Sequence, residues 1–268
     1  MKARSPFLML FGVIACVLFQ NCGSSPSSED EILALKAQAY FQTSSHFKIN
    51  VYYEPGAEPF DGNTNTGAPY WNILDDNLTA LFQYRSRPPE ISVPKALSEM
   101  TALPAQSRDR WTSEQLLDLN RSYGFNQNST GEEHFQIYFV NGYFDDGTGP
   151  KTGVIGVSLG ASGVIAIFKQ VVGSTGSTSN GIVPRFVEQS TLVHEMGHAL
   201  GFVNNGVPMK NPHQDVAHGA HTTDTDCVMY WQNEGTSNLI AFIQKYMTSS
   251  SRVMWGPNIL QDAKAISR

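Results

Sequence analysis

Cysteine is scarce in this chain of 268 residues: it occurs at positions 16, 22 and 227. Cys16 and Cys22 belong to an N-terminal leader-like stretch, which leaves Cys227 alone, so no intramolecular disulfide is expected to hold the domain together. Stability must then come from the core, with metal as a further source. Basic residues are also few, with Lys and Arg totalling 18 against 24 Asp and Glu, a formal net charge of −6. They are scattered, so no basic stripe offers counterion release along a phosphate backbone, which argues against nucleic acid as a partner. No repeat period is visible, which argues against a solenoid or propeller. The apolar run Phe7–Phe19 is too short to span a bilayer comfortably as a permanent anchor. What remains is 41% hydrophobic residues, enough for one sizeable core or for two lobes around a cleft.

The N-terminus "MKARSPFLMLFGVIACVLFQNC" has a basic start at Lys2 and Arg4 followed by that run, and reads as a secretory signal. It ends at Cys22, followed by the polar "GSSPSSEDE". A Ser-rich tether directly after a cysteine resembles the start of a mature bacterial lipoprotein, with Cys22 carrying the lipid. Val13-Ile14-Ala15-Cys16 offers a second lipobox, although cleavage there would leave "VLFQN" in solvent. Gly23 after the lipid cysteine resembles lipoproteins sorted to the outer membrane. The expected organisation is a signal at 1–22, a flexible tether at 23–31 and one two-lobed domain at 32–268, exported and lipid-anchored to the cell envelope.

Alternation of apolar and polar residues at 46–54, "HFKINVYYE", predicts a half-buried strand. Ile73, Leu74, Leu78, Leu81 and Phe82 predict a helix that Pro88 and Pro89 stop. A second helix is signalled at 111–124, with Thr112 or Ser113 as cap and Gly124 at its end. Residues 134–144 read as a strand, and 152–160 with 163–172 as a hairpin or pair of sheet strands. The stretch 184–203 is a helix apolar around most of its girth, hence buried. Residues 204–236 form a long functional loop, and 237–247 and 257–268 close the chain as helices. The fold class is α+β.

The chemistry concentrates in "HEMGHALGFVNNG", residues 194–206. On a helix His194 and His198 sit one turn apart on one face, so both imidazoles can reach one ion at about 2.0 to 2.1 Å. Glu195 points beside that ion, where it can take a proton from a bound water that then attacks a carbonyl. The bland reading is a chance motif on a buried helix. It would bury two imidazoles and a carboxylate without a partner, which is costly. A catalytic zinc needs a third protein ligand, and Asn204, three residues past Gly201, is a neutral amide and a poor one. His213, His218 and His221 lie downstream, three of the seven histidines within nine residues.

HExxHxxG resembles the metzincin clan of zinc peptidases. The continuation "HTTDTDCVMY" is similar to the archaemetzincin pattern, in which a histidine is followed six residues on by cysteine and eight residues on by methionine; here these are His221, Cys227 and Met229, with Thr222 where the family's first cysteine stands. The resemblance implies a metzincin-like zincin: a mixed sheet and helices in the upper lobe, a buried HExxH helix, and a mostly irregular lower lobe with a C-terminal helix. It implies one Zn²⁺ on His194, His198 and His221, with His218 and His213 as alternative ligands. Met229 corresponds to the methionine that packs beneath the metal, and Tyr230 is a candidate oxyanion donor or packing residue. Cys227 lacks a cysteine partner and is expected as a buried thiol, without a second zinc. A strand such as "GVIAIFKQ" would border the cleft and pair with peptide substrate.

Rival zincin classes take a glutamate or an aspartate as third ligand. Glu234 is the downstream glutamate, but it lies beside Gly235 with no helical pattern around it; Asp215, Asp224 and Asp226 keep the aspartate form open. A different class is a lipid-anchored binding or adhesion protein with a non-catalytic metal site. The reading that follows from Glu195 is a zinc-dependent endopeptidase acting on protein or peptide, tethered to the membrane through Cys22.

Overall fold

In a computed structural model, which describes residues 28–64, 66–125, 129–176, 182–234, 236–247 and 251–268, the alternating stretch becomes β1, His46–Tyr53. The expected signal, with Cys16 and Cys22, and residues 23–27 of the tether lie outside the described residues. Residues 28–31 are helical, the start of α1, Ser28–Gln38. Among the described residues no helix is long and apolar enough to cross a membrane.

β1 lies in the middle of a mixed sheet. It pairs in parallel with β2, Glu90–Ser92, with β3, Thr101–Ala102, and along its whole length with β5, Glu132–Val140. β5 pairs in parallel with β9, Val164–Phe168, and β9 pairs antiparallel with β8, Gly156–Ser158, which forms the edge. Side chains alternate across the pleat. Phe47 and Phe135 therefore share one face, where they meet Tyr40 and, through Phe47, Phe82 of α2, Asn72–Phe82. Tyr138 faces the other way and bonds Asn120 of α3, Ser113–Tyr123. The expected cap of α3 is present: Thr112 accepts from the Gln115 amide while the Gln115 side chain returns to the Thr112 amide.

Two strand expectations are corrected. The stretch 134–144 is not one strand, because Gly142 at φ +87 turns the chain after Val140. Tyr143–Asp145 becomes β6, joined to β4, Arg110–Trp111, and β7, Pro150–Lys151, in a second small sheet. The stretch 163–172 stops at Phe168, and Lys169–Ser174 forms a short helix, α4. The reason lies in Lys169, whose ammonium lies 3.6 Å from the Phe60 ring centroid and pairs with the buried Glu188 carboxylate. It also follows that β9, completely buried, is an interior strand, and that the cleft is bordered by β8.

Glu188 belongs to α5, Ile182–Ala199, the buried helix expected from its apolar girth, which packs on β8, β9 and α2. After α5 come irregular chain, two one-turn 3₁₀ segments, α6, Thr236–Met247, and α7, Pro257–Ile266. Buried Asn77 of α2 ties this lower region to the sheet side: its amide donates to the Arg252 carbonyl and its Oδ1 accepts from the Met254 amide. The Met254 carbonyl in turn accepts from the Val228 amide, so the turn around Met229 is fixed from α2.

Candidate metal centre

The i, i+4 spacing on α5 brings His194 Nε2 and His198 Nε2 to 3.1 Å. The helix ends as Gly201 suggests: at φ +88 its amide bonds the His198 carbonyl and the Phe202 amide bonds the Gly197 carbonyl. Val203 and Asn204 continue at positive φ and carry the chain away. The Asn204 amide reaches Gln214 Oε1 at 3.3 Å, outside the histidine group. The chain returns through bridges Gln214 to Thr222 and Thr222 to Tyr230, which set His221 Nε2 3.3 Å from His194 Nε2. Ligands on one tetrahedral zinc with bonds of about 2.0 to 2.1 Å stand roughly 3.3 to 3.4 Å apart, which matches these separations.

Ring orientation is set by the other nitrogens. His194 Nδ1 donates to the Val228 carbonyl at 2.7 Å and His221 Nδ1 to the His218 carbonyl at 2.6 Å. In the neutral rings Nε2 is then the lone-pair nitrogen, and in each it faces the shared centre. Burial, and then the neighbouring histidines, hold His198 well below the ordinary imidazole range; burial and then His221 lower His194 to about 4. Both are neutral at physiological pH and free to ligate. His221 behaves oppositely: burial pulls its pKa down, but the hydrogen bond to Glu234 and the His218 carbonyl outweigh it and raise it. A buried set of converging imidazole lone pairs fits a cation such as zinc and little else. Because protons compete for the ligand with the raised pKa, zinc affinity should increase with pH to a midpoint above the usual imidazole value. Chelator competition between pH 5 and 8 reads that midpoint.

The sites weighed from sequence separate clearly. His213 is buried elsewhere, with Nε2 2.7 Å from Asp262 Oδ2 and Nδ1 3.0 Å from Thr222 Oγ1. His218 stacks on Trp231 at 3.9 Å and bonds Asp215. Neither belongs to the group of His194, His198, His221 and Glu234, whose donor atoms all lie within 4.8 Å of one another. The aspartates are engaged apart from it: Asp215 with His218, Asp224 with the Asp226 amide, Asp226 with Lys245. Met229 is fully buried beside α5, where a Cβ on Gly197 would collide with its sulfur and crowd the Trp255 ring. Cys227 is a buried free thiol, pushed by burial up to about 12. Tyr230 is not among the residues lining the cleft.

Glu234 is the residue that sequence reasoning set aside. It ends a one-turn 3₁₀ helix, Trp231–Glu234, with Oε1 3.1 Å from His221 Nε2. A single 3₁₀ turn needs no apolar periodicity, so the absence of a helical pattern carried no information there.

The group opens on a cleft of about 430 Å³, lined on its apolar side by Phe144, Val154 and Val157. Glu195 lies at its base. Burial, reinforced by the charge of Glu234, raises its carboxyl to about 8, against which the Ser158 backbone amide works by hydrogen bonding. Along β8 the Ile155 carbonyl and Leu159 amide bond β9, so the backbone groups of Gly156 and Ser158 point away from the sheet, and there the Ser158 amide bonds Glu195. Gly156 also sets the approach of α5, because a Cβ there would press on Thr191, Ile167 and Glu195. Gly156→Val should displace the Glu195 side chain and, by overpacking β8 against α5, lower stability to unfolding by about 1 to 3 kcal/mol. Zinc content should be retained, since no ligand is on β8.

No protein-family model matches the sequence, and no curated protein matches it. A solved structure similar to this chain is that of archaemetzincin from Methanopyrus kandleri, at 16% sequence identity, covering 83% of this chain and 96% of that chain, with a TM-score of 0.41.

Proposed function

We propose that this protein is a zinc-dependent endopeptidase in which His194, His198 and His221 hold one zinc ion and Glu195 is the general base. The observation that carries the proposal is the convergence of three imidazole Nε2 atoms beside a buried carboxyl, at the wall of a cleft bordered by an unpaired strand edge. Zinc, when bound, would supply Lewis acidity that polarises a carbonyl and lowers the pKa of water so that a neighbouring base can turn it into a nucleophile. Everything else falls to the chain. Glu195, lining the cleft beside the histidines, would take the proton of the attacking water and deliver it to the departing amine. The outward backbone of Gly156 on the β8 edge aligns an extended peptide beside Glu195. Phe144, Val154 and Val157 favour an apolar side chain next to the cleaved bond.

The test is a peptide library incubated with zinc-loaded protein. Cleavage beside apolar residues, abolished by chelator and restored by zinc, supports the proposal; zinc uptake without any cleavage would leave a binding protein with a non-catalytic metal. We place the enzyme at the cell envelope, exported and anchored through a lipid on Cys22, on the outer membrane. That placement predicts incorporation of labelled fatty acid, lost in Cys22→Ser.

A further inference from the structure

The contact between His221 and Glu234 uses the wrong nitrogen for a simple orienting role. An outer carboxylate that orients a ligand bonds the ring nitrogen turned away from the metal. That nitrogen, His221 Nδ1, is already taken by the His218 carbonyl. Glu234 Oε1 instead meets Nε2 at 3.1 Å, the nitrogen that faces His194 Nε2, and stands 4.0 Å from His194 Nε2 as well. Once Nε2 is committed to a metal it has nothing left to offer the carboxylate. The partner then beside Oε1 is the metal itself.

Position and exposure add to this. Glu234 is about half exposed, so its side chain is free to turn to water, yet the ion pairs it makes among the described residues are both to imidazoles of the cluster. Its backbone is anchored one residue earlier: the buried Asn233 side chain donates to the Cys227 carbonyl at 3.0 Å and to the Val228 carbonyl at 3.2 Å. The Val228 carbonyl is also the acceptor that orients His194. One carbonyl thus fixes both the first histidine and the root of Glu234. The side chain beyond that root lines the cleft, where there is room for it to swing aside.

Resting on the zinc reading above, we propose that Glu234 is a displaceable fourth ligand, closing the His194, His198 and His221 site at rest and leaving it when a peptide enters. A tethered carboxylate competes with water at high effective concentration, so the resting site has four protein ligands. Arrival of the substrate carbonyl returns Glu234 to the solvent at the cleft mouth. The device keeps an exported hydrolase quiet until a chain occupies the cleft.

The experiment compares wild type, Glu234→Ala and Glu234→Gln, each purified full length, metal-stripped and reloaded. Two probes are read: zinc affinity by chelator competition, and the visible spectrum of the cobalt(II) form with and without added acetate. Glu234→Ala should bind zinc about 10- to 100-fold more weakly. Its cobalt spectrum should differ from wild type and return toward it on adding acetate, while the wild-type spectrum is insensitive to acetate. Unchanged affinity and an unchanged cobalt spectrum in both variants would overturn the fourth-ligand role and leave the peptidase reading standing. A collapse of cleavage with metal binding intact would make Glu234 a proton-transfer group and also overturn it. If wild type takes up neither zinc nor cobalt, the metal reading itself falls, a separate and recognisable result.

Discussion

Glu195→Gln should abolish nearly all peptide hydrolysis, a loss of about 10²- to 10⁴-fold in kcat, with zinc content unchanged. The substitution keeps the shape and the burial of the side chain and removes only its ability to accept a proton. No other described carboxyl is placed to replace it: Glu188 lies on the same helix two turns earlier, fully buried and paired with Lys169, and Glu234 faces the imidazoles. Hydrolysis in Glu195→Gln at the wild-type rate would remove the general base from the account. Parallel loss of zinc would show a structural role instead.

Asp262→Ala should be the most destabilising single change near the site. Asp262 of α7 is fully buried; its Oδ2 meets His213 Nε2 at 2.7 Å and its Oδ1 accepts from the Lys210 amide. His213 in turn holds the returning chain, with its ring on Thr222 Oγ1 and its carbonyl accepting from the Thr223 amide. Truncation strands an imidazole and an amide in the interior at a cost of about 3 to 5 kcal/mol, a large share of the stability of a single domain. Denaturant unfolding should show that loss. Surviving folded protein should bind zinc more weakly, because Thr222 is covalently next to His221. Asp262→Asn, which preserves an acceptor for Lys210 and a donor for His213, should recover most of both. Equal stability of Asp262→Ala and wild type would mean that the pair contributes nothing to the loop.

Much of the centre was legible because its determinants are local. The i, i+4 spacing of His194 and His198, the turn at Gly201 and the capping of α3 by Thr112 each depend on residues a few positions apart. His221 was reached through its spacing to Cys227 and Met229, which does not depend on the length of chain between Gly201 and His221. What stayed hidden depends on contacts far apart in sequence. The ending of β9 at Phe168 reflects Lys169 meeting Glu188, and the identity of the cleft-side strand reflects which of two apolar stretches is covered on both faces. Gly197 carried a weak signal, as a glycine inside a helix costs about 1 kcal/mol relative to alanine. Its reason, the approach of Met229 and Trp255, is visible only in three dimensions. Glu234 was weighed and set aside because a helix was the wrong thing to look for.

The central claim, that the third histidine of the site is His221, is tested most directly by zinc content. Wild type should bind one zinc per chain. His221→Ala should lose it, whereas His218→Ala, which disturbs only a ring stacked on Trp231 and bonded to Asp215, should keep it. Full zinc in His221→Ala, or loss confined to His218→Ala, would contradict the assignment.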